Sequence, residues 1–169
     1  ITKNMSYKTK LAQINTFVFD VDGVLTNGTV LVTSQGELLR AMNIKDGYAL
    51  KRAVNQGFRV AIISGGTNEG VRKRLEGLGI SDIYLGAHEK TTFLEDYCQK
   101  KGVKLAQIVY MGDDIPDLAP IKKVGLSSCP QDAVPEIKAA VDYVSHKSGG
   151  QGCARYLIEQ VLKVHNKWG

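Results

Sequence analysis

Thr16-Phe17-Val18-Phe19-Asp20-Val21-Asp22-Gly23-Val24-Leu25-Thr26 begins as an unbroken apolar run and turns abruptly acidic. Residues 16–19 lack polar alternation, the pattern of a strand covered on both faces, as in a parallel sheet. Carboxylates do not continue inside such a sheet, so Asp20 and Asp22 belong at its carboxyl end. Open α/β folds place their ligands there, and Gly23 lets the chain turn sharply beside them. Two acids that close repel, and either a cation between them or a proton on one relieves the repulsion. On this segment alone a solvated turn and a metal site are both admissible.

Working outward, β-branched and apolar arms on either side of Ser34-Gln35-Gly36 predict a hairpin over residues 29–42. Apolar positions Ala49, Leu50, Ala53 and Val54 predict a helix from Asp46, as N-cap, to Gln56, with Gly57 as its stop. Strands are expected at 59–63, 82–85, 108–111 and 143–144, with an apolar segment at 124–126. Helices are expected at 69–78, at 90–101, from Asp117 to Lys123, at 134–140 and at 154–164. This alternation predicts a Rossmann-like α/β fold: a parallel sheet with helices on both faces, right-handed crossovers, and the hairpin protruding after the first strand. No proline- or serine-rich linker interrupts it, so residues 1–169 are expected to form one domain. Ile1 to Asn4, at its start, precede the first methionine, Met5, and admit reading as a remnant.

The chain has 169 residues, 43% hydrophobic and 23% charged, which suits a folded domain of ordinary size. Its formal charge of +5 is spread rather than gathered in a stripe with aromatics, which favours a small anionic ligand over nucleic acid. Cys98, Cys129 and Cys153 are far apart and odd in number, and His88, His146 and His165 are isolated, so neither a disulfide framework nor a zinc site is expected. No run is long and apolar enough for a membrane span or a secretory signal, and the cytoplasm is the expected compartment.

Asp20 and Asp22, Ser64-Gly65, and Asp113-Asp114 with Asp117 each follow a strand, and Lys90 opens a helix. A parallel sheet gathers all its carboxyl ends on one edge, so these residues can converge although they are spread along most of the chain. Together they supply a carboxylate nucleophile, a second carboxyl, a hydroxyl, an ammonium and an acidic cluster for a divalent cation. That set suits phosphoryl transfer, because a doubly negative phosphomonoester repels an attacking anion until cations neutralise it. Each member also has a plainer reading. Ser64 could simply end a strand, Lys90 could be solvated, and the acids could cap the following helix. Lys90 is the least ordinary of them, since a cation at a helix N-terminus opposes the dipole.

Asp20-Val21-Asp22-Gly23-Val24, Ser64, Lys90 and Gly112-Asp113-Asp114 with Asp117, in this order, resemble the four motifs of the haloacid dehalogenase superfamily of phosphatases. The resemblance implies Asp20 as nucleophile, Asp22 as general acid and base, and Ser64, Gly65 and Lys90 around the phosphoryl oxygens. It further implies Mg²⁺ held by the Asp20 carboxylate, the main-chain carbonyl of Asp22, and Asp113, with Asp114 and Asp117 in support. The intervals between motifs hold no cap domain. Asp22-Gly23-Val24-Leu25-Thr26-Asn27-Gly28, Asn43-Ile44-Lys45-Asp46-Gly47-Tyr48 and Gly149-Gly150-Gln151-Gly152 resemble the capless group that acts on 3-deoxy-D-manno-octulosonate 8-phosphate in outer-membrane polysaccharide synthesis. In that group a similar hairpin assembles a homotetramer whose neighbours close each site. By that likeness Asn43, Lys45, Asp46 and Gly47 line a substrate site.

Two departures stand out: the group usually carries arginine where this chain has Gly66 and Gln151. Arg74, and less directly Arg72, are the arginines expected to meet a substrate carboxylate as a forked donor. A nine-carbon keto-deoxy sugar phosphate of the sialic-acid type is the nearest alternative substrate. A phospho-acceptor signalling receiver uses similar residue types, but it would place its paired acids at the first strand and its phosphorylated Asp in mid-chain. A non-catalytic regulatory subunit is the remaining alternative.

Overall fold

The computed structural model describes residues 6–169, so the remnant reading of 1–4 lies outside the described residues. Its centre is β1 (Thr16–Phe19), every residue of which is buried. Parallel neighbours flank it, β4 (Arg59–Ile63) on one side and β6 (Ile108–Met111) on the other. With β5 (Asp82–Tyr84), β7 (Leu126–Cys129) and β8 (Tyr143–Val144) the sheet runs β5-β4-β1-β6-β7-β8, all parallel. The chain leaves β1 for β4 and β5, then returns to β6 on the opposite side. The reversal opens a crevice at the carboxyl end of β1, the usual ligand position in such sheets.

Strand alternation divides the core into two layers. Phe17 and Phe19 face a layer with α1 (Ile44–Asn55), α2 (Glu69–Glu76) and α6 (Cys153–Val164). Val18, Ala61 and Tyr110 face a layer with α3 (Lys90–Lys101), α4 (Leu118–Ile121) and α5 (Pro135–Ala140). Phe17 and Phe19 are wholly removed from solvent, and each contributes about 2 kcal/mol of burial. Cys129 and Cys153 are buried, Cys98 is half-buried, and all three are free thiols. Among the described residues no helix is long and apolar enough to cross a membrane.

Several boundaries differ from the sequence expectation. Helix α1 is capped by Asn43, not Asp46: the Asn43 side chain accepts from the N–H groups of Lys45 at 2.8 Å and Asp46 at 3.3 Å. Asp46 sits inside the first turn and accepts instead from the N–H of Arg155, 2.8 Å away near the start of α6. The apolar segment at 124–126 gives way to a strand shifted toward the C-terminus. The serines of β7 enter the sheet because their hydroxyls have partners: Ser128 donates to the Tyr110 carbonyl at 3.0 Å, and Ser127 donates to Asp142 at 3.1 Å. A tight helical segment, Tyr7–Gln13, precedes β1 where the sequence pattern predicts no element. It buries only Leu11 and so shows no helical stripe in the sequence.

The hairpin consists of β2 (Leu31–Val32) and β3 (Leu38–Leu39), a ladder much shorter than its 29–42 span. Its turn closes through Gly36, whose positive φ of 81° a side chain would resist. Leu31 and Val32 are 68% and 61% exposed, and Val30, Leu38 and Leu39 are also open to solvent.

Candidate active site

The four motif segments end at the same crevice. Asp20 and Asp22 leave β1, Ser64 and Gly65 leave β4, Asp113, Asp114 and Asp117 follow β6, and Lys90 opens α3. All eight line one pocket of about 420 Å³, together with Gly28, Gly66 and His88.

At its floor the Lys90 ammonium lies 3.0 Å from Asp20 and 2.8 Å from Asp117. Asp20 is 7% exposed, Lys90 4% and Asp117 not at all, so little water screens these charges. Burial works against the charge on Lys90, but the two carboxylates outweigh it and raise the ammonium above its ordinary value. They also explain why a cation is tolerated at the N-terminus of α3. Asp20 moves the other way: burial, then repulsion from Asp117, pushes it up to about 6 despite Lys90. One of its oxygens accepts from the N–H of Val21 at 2.7 Å, which fixes the carboxylate at the strand end.

Asp117 braces the site. Its Oδ1 accepts from Lys90 at 2.8 Å and the Tyr110 hydroxyl at 2.7 Å, and its Oδ2 from the N–H groups of Asp113 at 3.1 Å and Asp114 at 3.4 Å. Asp114 caps the short turn that follows, accepting from the N–H of Ile115 at 2.7 Å. Ser64 is buried at the end of β4, where its main chain is tied to the Tyr84 carbonyl and the Ala87 N–H. Its hydroxyl accepts from the Gly66 N–H at 3.4 Å.

Carboxylate oxygens of Asp20, Asp113 and Asp117 lie within 4.8 Å of one another. Those of Asp117 are occupied by four donors, so Asp20 and Asp113 are the pair with lone pairs to spare. Burial, then repulsion from Asp20 and Asp117, pushes Asp113 up to about 7. Three carboxylates around one ammonium leave surplus negative charge in a dry place, and the surplus is all oxygen. This donor set fits a hard divalent cation. Gly23 fits the same picture: at φ 84° it packs against the Asp113 carboxylate, in space that a side chain would need.

The Asp22 carboxylate lines the same pocket but is not part of that group of three. Both of its oxygens are held by Arg40, through Nε at 2.8 Å and Nη2 at 3.0 Å. Its main-chain carbonyl is therefore what remains for the ligand role the resemblance implies.

Arg40 and Tyr110 were missed in the sequence. Arg40 sits in what reads as a hairpin arm, and Tyr110 in what reads as an apolar strand. His88, isolated in the sequence, lies on the pocket wall. Its place two residues before Lys90 was the one signal available.

The residues read as substrate-binding do not share this pocket. Asn43 and Lys45 border a separate cavity of about 570 Å³ with Lys147, Gln151 and Arg155. Asp46 is buried beneath α6. The Arg74 guanidinium occupies the space that a side chain at Gly47 would take, and lines a third cavity with Arg40 and Asn68. Arg72 pairs with Glu69 and donates to the Ile83 carbonyl at 3.2 Å, away from the site.

Comparison with known proteins points to the same superfamily that the motifs resemble. Residues 77–157 match the haloacid dehalogenase-like hydrolase family. The chain is 36% identical to the 3-deoxy-D-manno-octulosonate 8-phosphate phosphatase KdsC of Salmonella typhi, over 94% of this chain and 85% of the relative. The crystal structure of the Moraxella catarrhalis phosphatase of that name, in complex with magnesium, phosphate and KDO, superposes with a TM-score of 0.92 at 33% identity. The match covers 96% of this chain and 93% of that one. The cobalt-bound Haemophilus influenzae phosphatase does so with a TM-score of 0.90 at 34% identity, covering 94% and 93%. By sequence over nearly its whole length and by fold, the chain belongs to the 3-deoxy-D-manno-octulosonate 8-phosphate phosphatase family of the haloacid dehalogenase-like hydrolases.

Proposed function

We propose that this chain hydrolyses 3-deoxy-D-manno-octulosonate 8-phosphate to the free sugar acid and inorganic phosphate, through a phosphoryl group carried on Asp20. The observation that supports this most is the Asp20 carboxylate fixed 3.0 Å from Lys90 in a pocket that Ser64, Gly65 and Asp113 also line.

An Asp20 oxygen attacks phosphorus as the bond from phosphorus to the sugar oxygen breaks, and the Asp22 carboxyl gives that oxygen its proton. Water then attacks phosphorus and gives a proton to Asp22 as the bond from phosphorus to the Asp20 oxygen breaks, which releases phosphate and restores both carboxyl groups. Lys90 offsets charge on the phosphoryl oxygens, with the Ser64 hydroxyl and the N–H of Gly65 as further donors. Asp117 and Tyr110 keep Lys90 aimed at the reacting atoms. Asp20, Asp113 and the Asp22 carbonyl would hold Mg²⁺, which when bound would supply the divalent charge that a doubly negative ester requires.

The same reading makes the chain a homotetramer assembled through its hairpin, where five apolar side chains from Val30 to Leu39 meet solvent in a single chain. Assembly would bring a neighbour against the open pocket and supply walls for the sugar. Asn43, Lys45, Asp46, Gly47 and Arg74 are proposed to act in that assembled site, since within one chain they lie outside the phosphate pocket. Gly66 and Gln151, which stand where the group usually has arginine, keep a nine-carbon keto-deoxy sugar 9-phosphate as a second substrate to test.

Phosphate release with Mg²⁺ is to be measured from the eight-carbon ester, the nine-carbon ester and neutral hexose phosphates. The eight-carbon ester should turn over fastest, and Asp20→Asn should abolish release while the protein stays folded. Preference for a neutral hexose phosphate would overturn the substrate assignment, and ordinary turnover by the variant would overturn the nucleophile.

A further inference from the structure

Asp22 leaves β1 on a loop, and its side chain is 38% exposed at the pocket rim. An acid so placed has several rotamers open to it, and one that hands over a proton must hold a single one. Among the described residues both of its side-chain hydrogen bonds come from Arg40, a forked pair at 2.8 and 3.0 Å. A carboxylate has about four lone-pair directions, so each oxygen keeps one free for the pocket.

Arg40 is fixed in its turn. Its side chain is only 8% exposed, and Nη1 donates to the Leu38 carbonyl in β3 at 2.8 Å. The same carbonyl accepts from Asn68 Nδ2 at 3.1 Å, and Asn68 Oδ1 caps α2 by accepting from the Val71 N–H at 3.0 Å. The guanidinium thus ties Asp22 to the base of the hairpin, and the Leu38 carbonyl ties that base to the loop after β4. Gly66 lies beneath the guanidinium: a Cβ there would stand 3.2 Å from Arg40 Nη2 and 3.4 Å from Asp22 Oδ2. The missing side chain leaves the space that the guanidinium fills.

We propose that Arg40 is a positioning residue for Asp22, reaching in from the hairpin to supply, above Gly66, the guanidinium that holds the acid's rotamer. The inference rests on the reading of Asp22 as the group that protonates the leaving oxygen. Arg40 itself does not line the phosphate pocket. Its effect on the first step, transfer of the phosphoryl group to Asp20, is therefore confined to substrates whose leaving oxygen needs a proton.

The test compares two leaving groups in single-turnover reactions with Mg²⁺. The sugar ester leaves as a poorly acidic alcohol, whereas p-nitrophenyl phosphate leaves as a stable phenolate. Arg40→Ala should slow release of the sugar at least tenfold and release of nitrophenolate less than threefold, with KM for the sugar ester within threefold. Relocating the group, as Arg40→Ala with Gly66→Arg, should recover most of the loss, since Gly66 has no backbone conformation that excludes a side chain. Equal slowing of both esters would mean that Arg40 only props up the fold, and no slowing of either would mean that Asp22 needs no clamp; either result overturns the proposal. Failure of the double substitution to regain sugar release would likewise overturn the role assigned to the space above Gly66. A wild-type enzyme that released no sugar from the ester would instead overturn the proposed function.

Discussion

The Tyr110 hydroxyl donates to Oδ1 of Asp117 across 2.7 Å, and neither side chain reaches solvent. Burial, then the nearby carboxylates, raises the phenol well above its ordinary pKa, so the hydroxyl remains a donor. Asp117 shares that oxygen with Lys90, so the tyrosine limits how far the carboxylate can draw the ammonium from Asp20. Tyr110→Phe removes a hydrogen bond to a charged, buried acceptor, worth about 2 kcal/mol. The variant should lose about that much stability in urea denaturation and several-fold in kcat, with KM little changed. Unaltered stability would show that Asp117 is satisfied without the tyrosine.

Acidity at the site carries a sign that can be checked on metal-free protein. Asp20 is held up to about 6 and Asp113 up to about 7, against an ordinary carboxyl value of about 4. The native state therefore binds more protons than the unfolded chain between these values. Stability from the two groups is fully present below about pH 4 and is lost as pH rises through their native values. The melting temperature of chelated protein should fall between pH 5 and 8. Added Mg²⁺ should offset the fall, and its stabilising effect should grow over the same range as it displaces the protons. A magnesium shift in melting temperature equal at pH 5 and pH 8 would contradict the charge balance described for the pocket.

Gly23 gives a steric test of the same region. Its φ of 84° is unfavourable for an L side chain, and a Cβ would run into the Asp113 carboxylate. Gly23→Ala should cost about 1–2 kcal/mol in backbone strain and displace Asp113. Magnesium affinity, measured by calorimetry, should weaken along with kcat. Full magnesium affinity in this variant would remove Asp113 from the metal-binding pair.

How legible all this was in the sequence depended on whether a residue's role followed from its own element. Phe17-Val18-Phe19 declared a buried strand because parallel strands have no solvent face, and the acids after it had nowhere to go but the sheet edge. Lys90 was visible as an anomaly, a cation where the helix dipole opposes one. Arg40 was not visible: it works across a separation of 18 residues, and beside Leu38 and Leu39 it resembles any charge on a hairpin arm. Tyr110 is buried like its apolar neighbours, and only its hydroxyl partner distinguishes it. The Asn43 cap was mistaken for Asp46 because both residues suit that position. What separated them was Arg155, 109 residues away, whose N–H draws the aspartate into the core.

The hairpin turns the question of assembly into one about two side chains. Leu31 and Val32 are 68% and 61% exposed on a ladder of only two residues per arm. An isolated hairpin this short is marginal in water, and its unpaired edges and apolar faces invite another strand or sheet. If hairpins of several copies pack together, burying a leucine of this kind contributes about 2 kcal/mol per chain. Leu31→Glu would replace that with a desolvated charge. Light scattering should give a tetramer for the wild type and a smaller species for Leu31→Glu. Because Arg40 leaves the hairpin base for Asp22, the dissociated form should also lose turnover of the sugar ester. In single-turnover reactions it should retain more of its nitrophenolate release from p-nitrophenyl phosphate, whose leaving group needs no proton. A wild-type monomer with full activity would separate the hairpin from assembly altogether and leave its apolar side chains without the role given to them here.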